Sequence, residues 1–99
     1  MNSSTNDIKC LAAKRGLYMS LRSLQEVSAG LAITAGRLAT SADPNTIDAL
    51  LSSLADTEIL QAQVRHLLED SGQIENHQYL AVRSERLARQ LEEAESQNG

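Results

Sequence analysis

Leucine recurs at every seventh residue at Leu17, Leu24, Leu31 and Leu38, and this spacing constrains the chain more than any other feature. A period of seven holds one stripe along a helix that faces a neighbour, whereas a strand alternates its faces with a period of two. Alternating β-branched or aromatic runs are lacking. Leucine, alanine, glutamine and glutamate dominate, all good helix formers. The expected fold is therefore all-α: a three-helix antiparallel bundle or an elongated helical hairpin, completed by oligomerisation or by a partner. The chain has 99 residues, no tryptophan or phenylalanine, and only Tyr18 and Tyr79 as aromatics. A chain of this size buries roughly 60–65% of its unfolded surface, so its core is thin and a second surface is the usual complement.

Two breaks divide a single helical domain into three segments. At Asp43-Pro44 the aspartate is a natural N-cap and the proline occupies the first helical position, where its missing N–H costs nothing. At Asp70-Ser71-Gly72 the glycine can take the left-handed conformation that ends helices. The segments are expected at about 6–39, 44–69 and 73–96, with 1–5 and 97–99 flexible. In the first, the leucine stripe alternates with Leu21, Ser28 and Ala35, flanked by Tyr18, Gln25, Ala32 and Ala39 on one side and Ser20, Val27 and Thr34 on the other. Unbroken, this segment would be about 50 Å long against a radius of gyration near 13 Å for a compact domain of ~100 residues. Lys14-Arg15-Gly16-Leu17 reads as a helix end, with basic residues in the last turn and a glycine after it. Against a break there, no residue N-caps a helix that begins at Leu17.

In the second segment Ile47, Leu50, Leu51 and Leu54 share one face, and Ile59, Leu60, Val64, Leu67 and Leu68 drift around the helix. The third carries Ile74, Leu80, Ala81, Leu87, Ala88, Leu91 and Ala94 on one face. Its other face has Glu85–Arg89 and Arg89–Glu93 at four-residue spacing.

The net charge of −4 conceals an asymmetry. Residues 1–42 hold five basic and two acidic side chains, net +3, while residues 43–99 hold four arginines and eleven acids, net −7. Halves of opposite sign suit helices that pack on each other, on a second copy, or on a partner of complementary charge. Cys10 is the only cysteine, so a disulfide within the chain is impossible and the compartment reads as reducing or indifferent. No run approaches a signal-peptide core or the roughly twenty apolar residues of a membrane span, and a cytoplasmic location is expected.

The residues that carry chemistry do not converge in the sequence. His66 and His77 lie eleven residues apart with no cysteine near them, which argues against a metal site. His77 instead reads as a polar member of the third segment's apolar stripe. Cys10 has Lys9, Lys14 and Arg15 close by, but a nucleophile also needs a base and a dry pocket; it reads as a buried or half-buried structural thiol. The glycines are scattered rather than clustered in a phosphate loop. Neither enzymatic activity nor a cofactor is expected.

The favoured reading is a non-catalytic protein-binding module, a small adaptor, inhibitor or chaperone-like factor. It would offer Leu17, Leu21, Leu24 and Leu31, with Tyr18 as an amphipathic anchor, to another protein or to itself in a homo-oligomer or hetero-complex. The alternative is a DNA-binding regulator with a degenerate helix-turn-helix around 24–41, turning at Ala32-Ile33-Thr34 and using Arg22 and Arg37. It lacks the usual turn glycine, and the chain beyond Arg37 is acidic, which disfavours phosphate contact. Residues 42–50, with Asp43-Pro44 between two long helices, resemble the hairpin of type III secretion needle subunits. That likeness covers about a tenth of the chain and implies a self-assembling structural or secretion-apparatus component. The acidic, polar C-terminal segment departs from the apolar helix that ends those subunits.

Overall fold

A computed structural model describes residues 3–41 and 43–98. Three helices, α1 (Ser3–Ser41), α2 (Pro44–Asp70) and α3 (Asn76–Asn98), account for nearly all of these residues, with no strand among them. The all-α expectation holds. Residues 3–5, expected to be flexible, are helical, and so are Gln97 and Asn98; residues 1, 2 and 99 lie outside the described part. The chain divides into two compact units, residues 1–68 and 69–99.

The first unit is organised by a break in α1. Gly16 has φ 75° and ψ 171°, a region essentially reserved for glycine, so α1 consists of limbs 3–15 and 17–41. The limbs fold toward each other. Leu11 and Arg15 of the first line one groove with Ser23, Glu26 and Val27 of the second and with Asp56, Ile59 and Leu60 of α2. On a straight helix Leu11 and Val27 would stand about 24 Å apart along the axis. A break at Gly16 thus needs no N-cap at Leu17, because packing of the two limbs on α2 replaces the local signal. Ala12, Ser20, Thr57, Leu60 and Gln63 are buried, so both limbs and α2 contribute to one small core. Of the apolar residues described, Ala12 and Leu60 are the buried pair.

Limb 17–41 and α2 form an antiparallel hairpin around Asp43-Pro44. Asp43 caps α2 as expected: its Oδ1 accepts from the Asn45 N–H at 3.0 Å, and its carbonyl accepts from the Thr46 N–H at 2.9 Å. The leucine stripe Leu17, Leu24, Leu31 and Leu38 is half-buried. Its alternate positions differ from the expected ones. Ser20 is buried and Val27 and Thr34 are half-buried, while Leu21, Ser28 and Ala35 are exposed. A heptad of leucines fits a stripe on either flank, and the choice falls to the side where close approach of the helices is possible. Position 20 is fully buried, and a hydroxymethyl fits there where a leucine would overpack.

The α2 seam follows the same economy, running through Thr46, Leu50, Ser53, Thr57, Leu60, Val64 and Leu67, each buried or half-buried. Thr57 Oγ1 donates to the Ser53 carbonyl at 2.7 Å and Thr34 Oγ1 to the Gly30 carbonyl at 2.8 Å. Hydroxyls satisfied within their own helix enter a seam at little cost. Of the four apolar residues that share one face in the sequence, Leu50 is half-buried and Ile47, Leu51 and Leu54 are exposed.

α2 ends where Gly72, at φ 78°, donates its N–H to the Glu69 carbonyl at 3.0 Å. α3 begins at Asn76 rather than near 73, because Gln78 Oε1 accepts the Glu75 N–H at 2.7 Å. Glu75 is thus the N-cap of a capping-box arrangement, and Ile74 precedes the helix.

Candidate protein-binding face

The five expected contact residues separate into two groups. Leu17, Leu24 and Leu31 sit half-buried on the stripe of limb 17–41 that packs within the hairpin. Tyr18 and Leu21 are exposed, Tyr18 at 68%. Arg22 Nη1 donates to Tyr18 Oη at 3.5 Å, a long bond one turn away on the same helix.

The hairpin has two sides. Ser23 and Glu26 share a groove with Asp56 and Ile59, and nearer the turn Arg37 and Thr40 share one with Asn45 and Ala49. Since successive residues turn by 100°, the opposite side carries Tyr18, Leu21 and Ala32 from α1 and Ile47, Leu51 and Leu54 from α2. Ile47, Leu51 and Leu54 stand one above another on α2, 45%, 59% and 47% exposed. Across the seam from them α1 offers only Ala32, Ala35 and Ala39. Large aliphatic side chains on one helix beside small ones on the next form a stepped apolar surface that another helix can fit. Met19, Ile33 and Ile59 are exposed at separate places on the other side and form no comparable row.

The row at 47, 51 and 54 is legible in the sequence as an apolar face, and the structure leaves it uncovered. Four-residue spacing marks a face without saying which neighbour covers it.

Chemistry-bearing residues stay apart. Cys10, expected to be buried or half-buried, is exposed, since the first limb turns Leu11 and Ala12 toward α2 and leaves the preceding residue outward. His77 Nδ1 lies 3.1 Å from a Glu75 carboxylate oxygen at the exposed start of α3. Among the described residues no three His, Cys, Asp or Glu side chains gather as a metal-binding group. The turn required for a helix-turn-helix at Ala32-Ile33-Thr34 is absent: α1 is helical from 17 to 41, with Arg22 and Arg37 exposed along one continuous rod. No helix among the described residues is long and apolar enough to cross a membrane. No protein-family model, curated protein or solved structure matches the chain.

Proposed function

We propose that the chain is a non-catalytic protein-binding module, of the adaptor, inhibitor or chaperone-like kind, that presents one side of its hairpin to an apolar helix of another protein. The observation that carries this reading is the exposed row Ile47, Leu51 and Leu54 beside the alanines of α1. Tyr18 and Leu21 extend the surface toward the far end of the hairpin. Leu17, Leu24 and Leu31 support it from within, holding the two helices in register. The mechanism is addition of a helix to an existing pair, in which the aliphatic row supplies buried area and the surrounding charges fix orientation.

The test is capture from nuclease-treated host lysate by the tagged chain, comparing the wild type with Leu51→Asp and Leu54→Asp. Both positions are exposed, so circular dichroism should show unchanged helicity while the stoichiometric partner is lost. Retention of the same partner by both variants removes this face from consideration. Recovery of nucleic acid instead, from a parallel lysate left without nuclease, supports the regulator reading.

A further inference from the structure

We propose that limb 3–15 is exchanged between two copies of this chain, each α1 straightening at Gly16 so that its first limb lies on the hairpin of the other copy. The surface and its occupant are both present in the structure. Leu11 and Arg15 of the limb line a groove with Glu26, Asp56 and Leu60 of the hairpin, Ala12 is fully buried, and Arg15 donates to Gln63 of α2. The charges agree as well. Limb 3–15 holds Lys9, Lys14 and Arg15 against Asp7, net +2, and its groove holds Glu26 and Asp56. A limb from either chain makes these contacts equally well.

The joint alone assigns the limb to its own hairpin, and the joint is one residue long. Gly16, at φ 75° and ψ 171°, leaves the helical region, and none of Ala13, Lys14 and Arg15 before it can cap a helix. A β-carbon at 16 would meet nothing within 4 Å, so no neighbouring group wedges the bend in place. A straight α1 restores helical dihedrals at 16 and the hydrogen-bond ladder across it. The two forms therefore share their limb-to-hairpin contacts and differ at Gly16, where the exchanged form is the more regular. A short joint held bent against the preference of its flanking residues is the setting in which identical chains trade an element.

Geometry makes the exchange reciprocal. Once straight, limb 3–15 projects about 20 Å past the end of its own hairpin, out of reach of its own groove. In the bent chain the limb runs back beside Ser23, Glu26 and Val27. Exchange therefore sets the two α1 helices antiparallel with their Gly16 residues at the crossing, where the missing β-carbons permit close approach. The limb is also loosely held. Its bond to Gln63 is 3.4 Å long and Gln63 Nε2 is buried without a partner, so release returns a stranded amide to water and lowers the cost of opening.

The first experiment is sedimentation equilibrium on the full chain carrying Cys10→Ser, which removes the exposed thiol. The expected result is a reversible dimer with a mass near twice 10.7 kDa. Gly16→Ala penalises the bend in both chains and should raise the association constant about a hundredfold, roughly tenfold for each joint relieved; at high dilution, with no second limb at hand, it keeps the full cost of the bend. Three glycines inserted after Gly16 break the straight helix and give each limb slack to close on its own hairpin, so that variant should be a monomer of the same helicity by circular dichroism. Straightening itself is read within one chain, from spin labels on Cys10 and on Arg37→Cys, both exposed positions, diluted in unlabelled protein. Along the helix axis the labels should be about 20 Å apart in the bent monomer and about 40 Å apart in the exchanged dimer. A wild type that is monomeric up to its solubility limit, a dimer that keeps the short distance, or a dimer that survives the glycine insertion would each overturn the proposal, and the wild type and the insertion decide it even if Gly16→Ala does not fold.

Discussion

Arg15 Nη1 donates to Gln63 Oε1 at 3.4 Å, joining the end of the first limb to the middle of α2 across 48 residues of sequence. Gln63 is fully buried and its Nε2 finds no partner. The bond is long and therefore weak in itself, but it is what satisfies the one amide atom that is satisfied. Arg15→Ala should destabilise the chain by about 1 kcal/mol by stranding Oε1. In a Gln63→Leu background, where nothing is left to strand, the same change should be nearly neutral. Urea unfolding of the two single variants and the double variant checks the difference.

Gly16 should tolerate no side chain. Open space surrounds it, so a β-carbon there meets nothing within 4 Å, and the whole penalty is conformational. Gly16→Ala is expected to cost about 1–3 kcal/mol. Gly30 and Gly36 also have open space, lie in regular helix, and carry no positive φ. Gly30→Ala and Gly36→Ala should each stabilise by about 0.5–1 kcal/mol. Opposite signs in thermal unfolding would separate the bend from the ordinary helical glycines, and a stable Gly16→Ala would show that the limbs do not need the bend.

Ser20 Oγ is buried without a hydrogen-bond partner. Ser20→Ala keeps the small volume that the meeting of limbs and α2 demands and removes the stranded hydroxyl, so it should raise stability by about 1 kcal/mol. Ser20→Leu, which would restore a conventional apolar seam, should instead overpack and destabilise by about 1–3 kcal/mol. Chemical denaturation of both variants reads the two signs.

Asp43→Ala should cost about 1 kcal/mol, because the Asn45 N–H loses its side-chain acceptor. Asp43→Asn, which keeps an acceptor oxygen, should recover most of it. Comparison of the three melting curves tests whether the cap, and not the negative charge, carries the effect.

Leu24 and Leu51 should behave oppositely although both belong to apolar faces in the sequence. Leu24 is half-buried in the hairpin and Leu51 is 59% exposed. Leu24→Ala should lower stability by about 2 kcal/mol, whereas Leu51→Ala should stay within about 0.5 kcal/mol of wild type. Equal losses at the two positions in urea unfolding would mean that Leu51 is covered in solution.

Local features are legible in residues a few positions apart. Asp43 and Pro44 begin a helix because one supplies an acceptor and the other a preset φ, and Gly72 ends one because it can adopt φ 78°. The heptad of leucines fixed one stripe of α1 for the same reason, since a period of seven is written entirely within one segment. Features that depend on distant partners follow from packing instead. The break at Gly16 has only half a local signal, a glycine without a following cap, and it is resolved by limb 3–15 packing against α2. Leu21 and Ser20 are adjacent in sequence, and hydropathy alone ranks the leucine as the inner residue. The structure buries the serine because helices approach closely only over small side chains, and that displaces Leu21, Ile47, Leu51 and Leu54 to the outside. Cys10 reads from the sequence as a buried or half-buried thiol and lies outside by its phase on the limb. Hydrophobicity tells a helix which residues prefer cover, and the shape of the available neighbours decides which of them obtain it.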